Sequence, residues 1–331
     1  MAKYDVYGVG NALVDKEFEV PESFFTEYNI EKGLMTLVSH EQQEYLANFL
    51  NEAYGVKKQS GGGSAGNTIY ALTHFGGRAF YACKVANDET GDFFLEHLEH
   101  HNIDTSVGAR ENGTSGQCLV MISPDAERTM HTYLGVSETL SLENMDFEAA
   151  GQSKYIYIEG YLVTSPTAKS SIIDLKTFAK KNNIKTALTF SDPAMLEYFK
   201  DDVNDVLGDG VDLLFCNEQE IKLWAGTENL SDACKAMEQK AEQFAVTRGA
   251  DGAVVYDGEN YMTIDGHPVK AIDTNGAGDM FAGAFLFAIT QGKDFETAGN
   301  LASRASSEVV TLFGPRLDAD QHEIIVREVF A

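Results

Sequence analysis

The chain has 331 residues, 44% of them hydrophobic, with 20 Phe and 14 Tyr, enough to bury a substantial core. Its 51 Asp and Glu against 25 Lys and Arg give a formal charge of −26, a field that repels nucleic acid and anionic membrane surfaces. The same field disfavours an anionic substrate, so a nucleotide site here needs backbone N–H groups, a few placed cations or Mg²⁺.

From the N-terminus, Asp5, Asp15 and Glu17 interrupt the stretch where a secretion signal needs an apolar run. Cys83, Cys118, Cys216 and Cys234 form no C-x-x-C pair, and reduced thiols in a cytoplasmic protein are the expectation. An apolar strand at 6–9 leads into GNALVD, whose polar Asn11 and Asp15 can fork onto adjacent hydroxyls; Asp15 is equally explained as an ordinary loop residue.

Residues 11–40 and 113–135 hold short alternating segments such as GQCLVMIS, expected as strands of a small separate sheet that forms a lid over the larger body. Arg128 sits on that lid, either solvated or brought over a phosphate by closure. Between them lies SGGGSAGN, whose Gly62, Gly63 and Asn67 read as a turn admitting a small polar ligand. Asn67 is otherwise a helix N-cap. The letters also fit G-x-G-x-x-G, but the preceding YGVKKQS is polar where a dinucleotide fingerprint needs a buried strand. His97 and His101 share one helix face without a third ligand, and a solvated face is expected.

The second half alternates apolar runs at 155–158, 186–190, 213–216 and 244–247 with helical patterns at 167–181, 218–225 and 232–239, the pattern of a mostly parallel sheet flanked by helices. Residues 249–257 and 260–264 read as an edge hairpin. Asn217-x-x-Glu220 closes one strand as a capping box, a ligand site, or both. Another strand ends in Thr247, Arg248, Gly249 and Gly252, an unusual place for an Arg in so acidic a chain.

The most informative stretch is DTNGAGD with the apolar helix behind it. Gly276, Ala277 and Gly278 offer backbone N–H groups at a helix start, where the dipole favours negative charge. Asp279 is either a dipole partner or a working base that takes a hydroxyl proton while the amides steady a phosphoryl group. That helix candidate, at about ten residues, falls short of the about 20 needed to cross a bilayer.

These motifs, in this order, resemble the ribokinase-like, or PfkB-type, family of carbohydrate and nucleoside kinases, most closely its adenosine-kinase-type branch. The resemblance implies one α/β domain over 1–331 with a small β-sheet lid. It also implies an ATP- and Mg²⁺-dependent kinase for the 5′-hydroxyl of a nucleoside, adenosine first, with a free sugar such as ribose or fructose as the alternative and a non-catalytic sensor as a distant one. On that pattern Asp279 is the base and Gly276, Ala277 and Gly278 the anion hole. Asn11, Asp15, Gly62, Gly63, Asn67 and Arg128 hold substrate; Asn217, Thr247, Arg248, Gly249, Gly252 and Ser303 hold nucleotide. Glu220 acts on Mg²⁺ indirectly, and Asp273, with the segment around Gly314, matches a monovalent-cation (K⁺) site. The base pocket is expected from lid residues such as Leu119 or Tyr133, and the protein is expected as a monomer or a homodimer through the lid.

Overall fold

The computed structural model describes residues 2–108 and 110–330. Its large sheet has eight strands in the order β13-β12-β11-β10-β9-β8-β1-β5: β1 Tyr4–Val9, β5 Ala79–Ala82, β8 Ser153–Ile158, β9 Lys185–Thr189, β10 Val211–Asn217, β11 Ala241–Thr247, β12 Ala253–Tyr256 and β13 Tyr261–Ile264. The last six in that order, from β11 to β5, are parallel, and β12 and β13 form an antiparallel edge hairpin. A smaller sheet orders β3-β7-β6-β2-β4, from β2 Leu13–Glu19, β3 Met35–Leu37, β4 Lys58–Gly62, β6 Gly116–Ile122 and β7 Arg128–Tyr133. This is a ribokinase-like α/β fold.

The apolar runs of the parallel strands follow from burial on both faces. On β8, Tyr155 and Tyr157 enter one core layer and Ile156 and Ile158 the other. One layer packs under the helices Ser64–His74, Ala277–Thr290 and Phe295–Val309; Phe215 of β10 meets Phe285 edge-on at 5.6 Å there. The other lies beneath Pro166–Asn182, a helix started by Ser165 as N-cap with Pro166 in its first turn and stopped by left-handed Asn183.

The small sheet takes β2 and β3 from the first expected span and β6 and β7 from the second. Its fifth strand, β4, falls on the polar stretch read above as no strand, so Gly61 and Gly62 lie on an edge strand paired with β2. A short helix, Ser23–Glu27, and a longer one, His40–Ala53, cover its outer face through Phe24, Leu46 and Leu50, which pack on Phe18, Leu119 and Met121. Among the described residues, no helix is long and apolar enough to cross a membrane.

Candidate active site

The carboxyl ends of the parallel strands and the inner face of the small sheet open onto one cavity of about 510 Å³, within the range of small-molecule sites and in the place where open α/β sheets bind ligands. Strand ends bring Asn11, Glu159, Asn217 and Thr247 to its wall, and the Ala277–Thr290 helix brings Asp279.

Gly276 caps that helix at φ 72°, and a Cβ there would strike Pro315, so the turn requires glycine. Gly276, Ala277 and Gly278 all line the cavity; the Ala277 N–H also makes a long bond, 3.3 Å, to the Thr274 carbonyl. Asp279 sits in the first turn. Ser64 Oγ donates to its Oδ1 at 2.6 Å and Asn67 Nδ2 to its Oδ2 at 3.1 Å. Burial raises the Asp279 pKa; the bonds from Ser64 and Asn67 and the charges of Arg128 and Arg316 oppose the rise.

A second polar group faces it. Asn11 donates through its backbone N and Nδ2 to Glu159 Oε1 at 3.2 and 2.7 Å, and Ala65 N donates to Glu159 Oε2 at 2.9 Å. Burial pushes Glu159 up to about 7 despite those bonds. Asp15 is buried, with Gly62 against its carboxylate. Burial raises it to about 7, the Arg316 charge works against this, and Asp279, Asp273 and Glu159 add to it. Gly63, at φ 82° and pressed on the Asn11 carbonyl, has no room for a side chain.

On the opposite side Asn217 and Glu220 form the reciprocal capping box that their spacing allows, and both line the cavity. Asn217 N and Nδ2 donate to the two Glu220 oxygens, each at 2.8 Å; burial lifts Glu220 to about 8. Thr247, Gly249, Gly252 and Ser303 complete that wall. Arg248 turns away: its Nε donates to Glu218 Oε2 at 2.9 Å, which explains a strand-end Arg as the anchor of the loop. Arg128, at the start of β7, does reach the cavity, facing Tyr161, Asp192 and Asp279. Asp273 lies behind it, accepting from Asn275 N and Gly314 N at 2.8 Å each.

Two expectations are corrected. Leu119 and Tyr133 do not line the cavity: Leu119 is buried among Phe18 and Phe24 on the outer face, and Tyr133 packs on His40. Side chains alternate along a strand, so the cavity wall takes their neighbours Cys118, Thr132 and Leu134, with Met130 and Met35. His97 and His101 are not a solvated face. They pack with Tyr70, His74 and His322, His74 Nε2 lying 2.9 Å from His101 Nδ1. Burial, with help from the Arg316 charge, holds His97 at about 3, and burial holds His101 at about 4.

Sequence reasoning missed Ser64, Glu159 and Arg316. Glu159 carried a usable signal, an acid closing the apolar run YIYI, the same signal that marked Asn217. Ser64 lies three residues before Asn67, on the same helix face. Arg316 was visible only as a scarce cation after Gly314-Pro315.

The pfkB family carbohydrate kinase model matches residues 41–322. The adenosine kinase of Saccharomyces cerevisiae is 25% identical over 333 residues, covering 95% of this chain and 96% of its own. The crystal structure of adenosine kinase from Sinorhizobium meliloti superposes with a TM-score of 0.93 at 32% identity, covering 99% of each chain. A probable sugar kinase from Rhizobium etli superposes at 0.94 and 29% identity, over 100% of this chain and 99% of its own.

Proposed function

The chain belongs to the pfkB family of carbohydrate kinases, and on that premise we propose that it transfers the γ-phosphoryl group of ATP to the 5′-hydroxyl of adenosine. The observation that carries the reading is the Asp279 carboxylate, held by Ser64 and Asn67 at a glycine-bounded helix start and open to a cavity with apolar and polar walls.

Adenosine enters with its ribose on the Asn11, Asp15, Gly63 and Asn67 side, Gly62 backing the Asp15 carboxylate, and its base against Met35, Met130 and Leu134 of the small sheet, which acts as a lid. ATP lies along Asn217, Thr247, Gly249, Gly252 and Ser303, with Arg248 steadying the loop through Glu218. As O5′ bonds to the γ-phosphorus, its proton passes to Asp279 and the bond from the γ-phosphorus to the bridging oxygen breaks, releasing ADP. The N–H groups of Gly276, Ala277 and Gly278, the helix dipole and Arg128 meet the charge on the transferring group. Mg²⁺, when bound with ATP, would neutralise charge on the phosphate oxygens. Both Glu220 oxygens already accept from Asn217, which suits contact with that ion through water. Asp273 keeps a lone pair on each oxygen beyond its two backbone bonds, which suits a monovalent cation such as K⁺ beside the anion hole.

Four unpaired, buried cysteines fit a reducing cytoplasm. The β3 edge of the small sheet, where Thr36 and Leu37 are exposed, allows either a monomer or a dimer through the lid.

A panel of nucleosides and free sugars assayed for ADP release with Mg-ATP tests the substrate. Adenosine is expected to have the highest kcat/KM; turnover of ribose or fructose with none of any nucleoside would assign the alternative.

A further inference from the structure

Arg316 lies outside the cavity wall and is only 6% exposed. A guanidinium so deep in protein is costly unless its donors are met. Its described hydrogen-bond partners are an amide and an imidazole. Nε donates to Asn67 Oδ1 at 3.0 Å, and Nη1 lies against His97 Nε2. The guanidinium stacks 4.5 Å above the Tyr70 ring.

Arg316 has donors only, so Asn67 must offer it Oδ1, and the other end of that amide, Nδ2, is then the end that meets Asp279 Oδ2. A flipped Asn67 would press an oxygen against a carboxylate and an NH₂ against a guanidinium. The chain Arg316 to Asn67 to Asp279 therefore has a single polarity. His97 must present a lone pair at Nε2 for the same reason, which places its proton on Nδ1.

We propose that Arg316 is a positioning residue for phosphoryl transfer: it locks the Asn67 amide toward Asp279 and sets a fixed positive charge behind the base. The role in transfer rests on the kinase reading above; the lock and the charge do not. The base Asp279 is faced by Ser64, Asn67, Arg128 and Arg316, and Asp15 and Glu159 both feel its charge. Arg316 is faced by Tyr70, Asp15, Tyr81 and Asp279, and His74, His97 and His101 feel its charge in turn. Near neutrality His97 and His101 are uncharged and Arg316 stays protonated, at about 10, so neither of those imidazoles changes charge in the range where the carboxylates titrate.

The test follows the Asp279 carboxyl carbon by NMR against pH in the free protein, its signal assigned by its loss in Asp279→Asn. Arg316→Met is expected to raise the Asp279 midpoint by about one unit, the scale of a unit charge removed at this range inside a protein. Arg316→Lys, which keeps the charge, is expected to leave the midpoint within a few tenths of a unit. The acid limb of kcat/KM is expected to follow the same order. If Arg316→Met does not fold, His97→Leu, which strips the acceptor from Nη1, is expected to move the midpoint the same way by less. A midpoint unmoved in the folded variant overturns the proposal, whichever alcohol the enzyme phosphorylates. Failure of adenosine turnover in the wild type, with the midpoint displaced as expected, overturns the substrate reading and leaves the positioning role standing.

Discussion

Ser64 Oγ donates to Asp279 Oδ1 at 2.6 Å across 215 residues of sequence, and so ties together the N-termini of two helices, Ser64–His74 and Ala277–Thr290. Both helix starts are glycine-flanked, and both aim at the cavity. The bond keeps a largely desolvated carboxylate oriented and limits the rise in its pKa.

Ser64→Ala is expected to lower kcat about 10- to 100-fold, since a hydrogen bond to a charged group contributes about 1.5–3 kcal/mol, and to move the acid limb of the pH profile upward. Steady-state kinetics between pH 5.5 and 9 check this. An acid limb unchanged from wild type would remove Ser64 from the base's electrostatics.

Glu17 is fully buried on β2, and among the described residues neither carboxylate oxygen is in full hydrogen-bond geometry, with the equally unpartnered Asn275 amide close by and working weakly against the effect of burial. Burial, with Asp273 and Asp15 nearby, raises its pKa from 4.5 to about 8. Between those values the unfolded chain releases the proton while the fold retains it, so this group's effect on stability grows more unfavourable as pH rises through that window. Glu17→Gln should therefore match wild type in Tm near pH 5 and exceed it by several degrees at pH 9. Parallel thermal melts decide the point; a constant Tm difference across that range would contradict it.

The alternation of the small sheet separates stability from specificity. Leu119→Ala should cost about 2–5 kcal/mol of stability, because it opens a hole among Phe18, Phe24 and Met121, with KM for adenosine nearly unchanged. Leu134→Ala, on the cavity wall, should leave Tm almost intact and raise KM for adenosine about 10-fold or more. Paired melts and kinetics check both; the reverse pattern would put the base pocket on the other face.

How far the sequence reveals this molecule depends on where each element finds its partners. The strands β8 to β11 stand out because burial on both faces makes each a continuous apolar run. Lys58–Gly62 reads as a loop because its strand character comes from pairing with β2, and its glycines make room for side chains instead of filling a core, Gly62 for the Asp15 carboxylate and Gly61 for the His97 ring. The same contrast holds in the site. Asp279 is conspicuous as an acid heading an apolar helix, and Asn217-x-x-Glu220 carries its own local bonding pattern. Glu159 and Arg316 are not conspicuous: their partners Asn11, Ala65 and Asn67 lie 148, 94 and 249 residues away. Leu119 and Tyr133 lie on strands that line the cavity but are not themselves on its wall, where Cys118, Thr132 and Leu134 stand instead, because a one-residue change of register on a strand exchanges inside for outside.

Asp279→Asn tests the central claim most directly, since it keeps the shape of the side chain and removes its ability to take a proton. Calorimetric titration with adenosine and with Mg-ATP should give affinities close to wild type, while kcat falls by about 10²–10⁴ or more. A variant that binds both ligands and turns over within tenfold of wild type would contradict the assignment of Asp279 as the base.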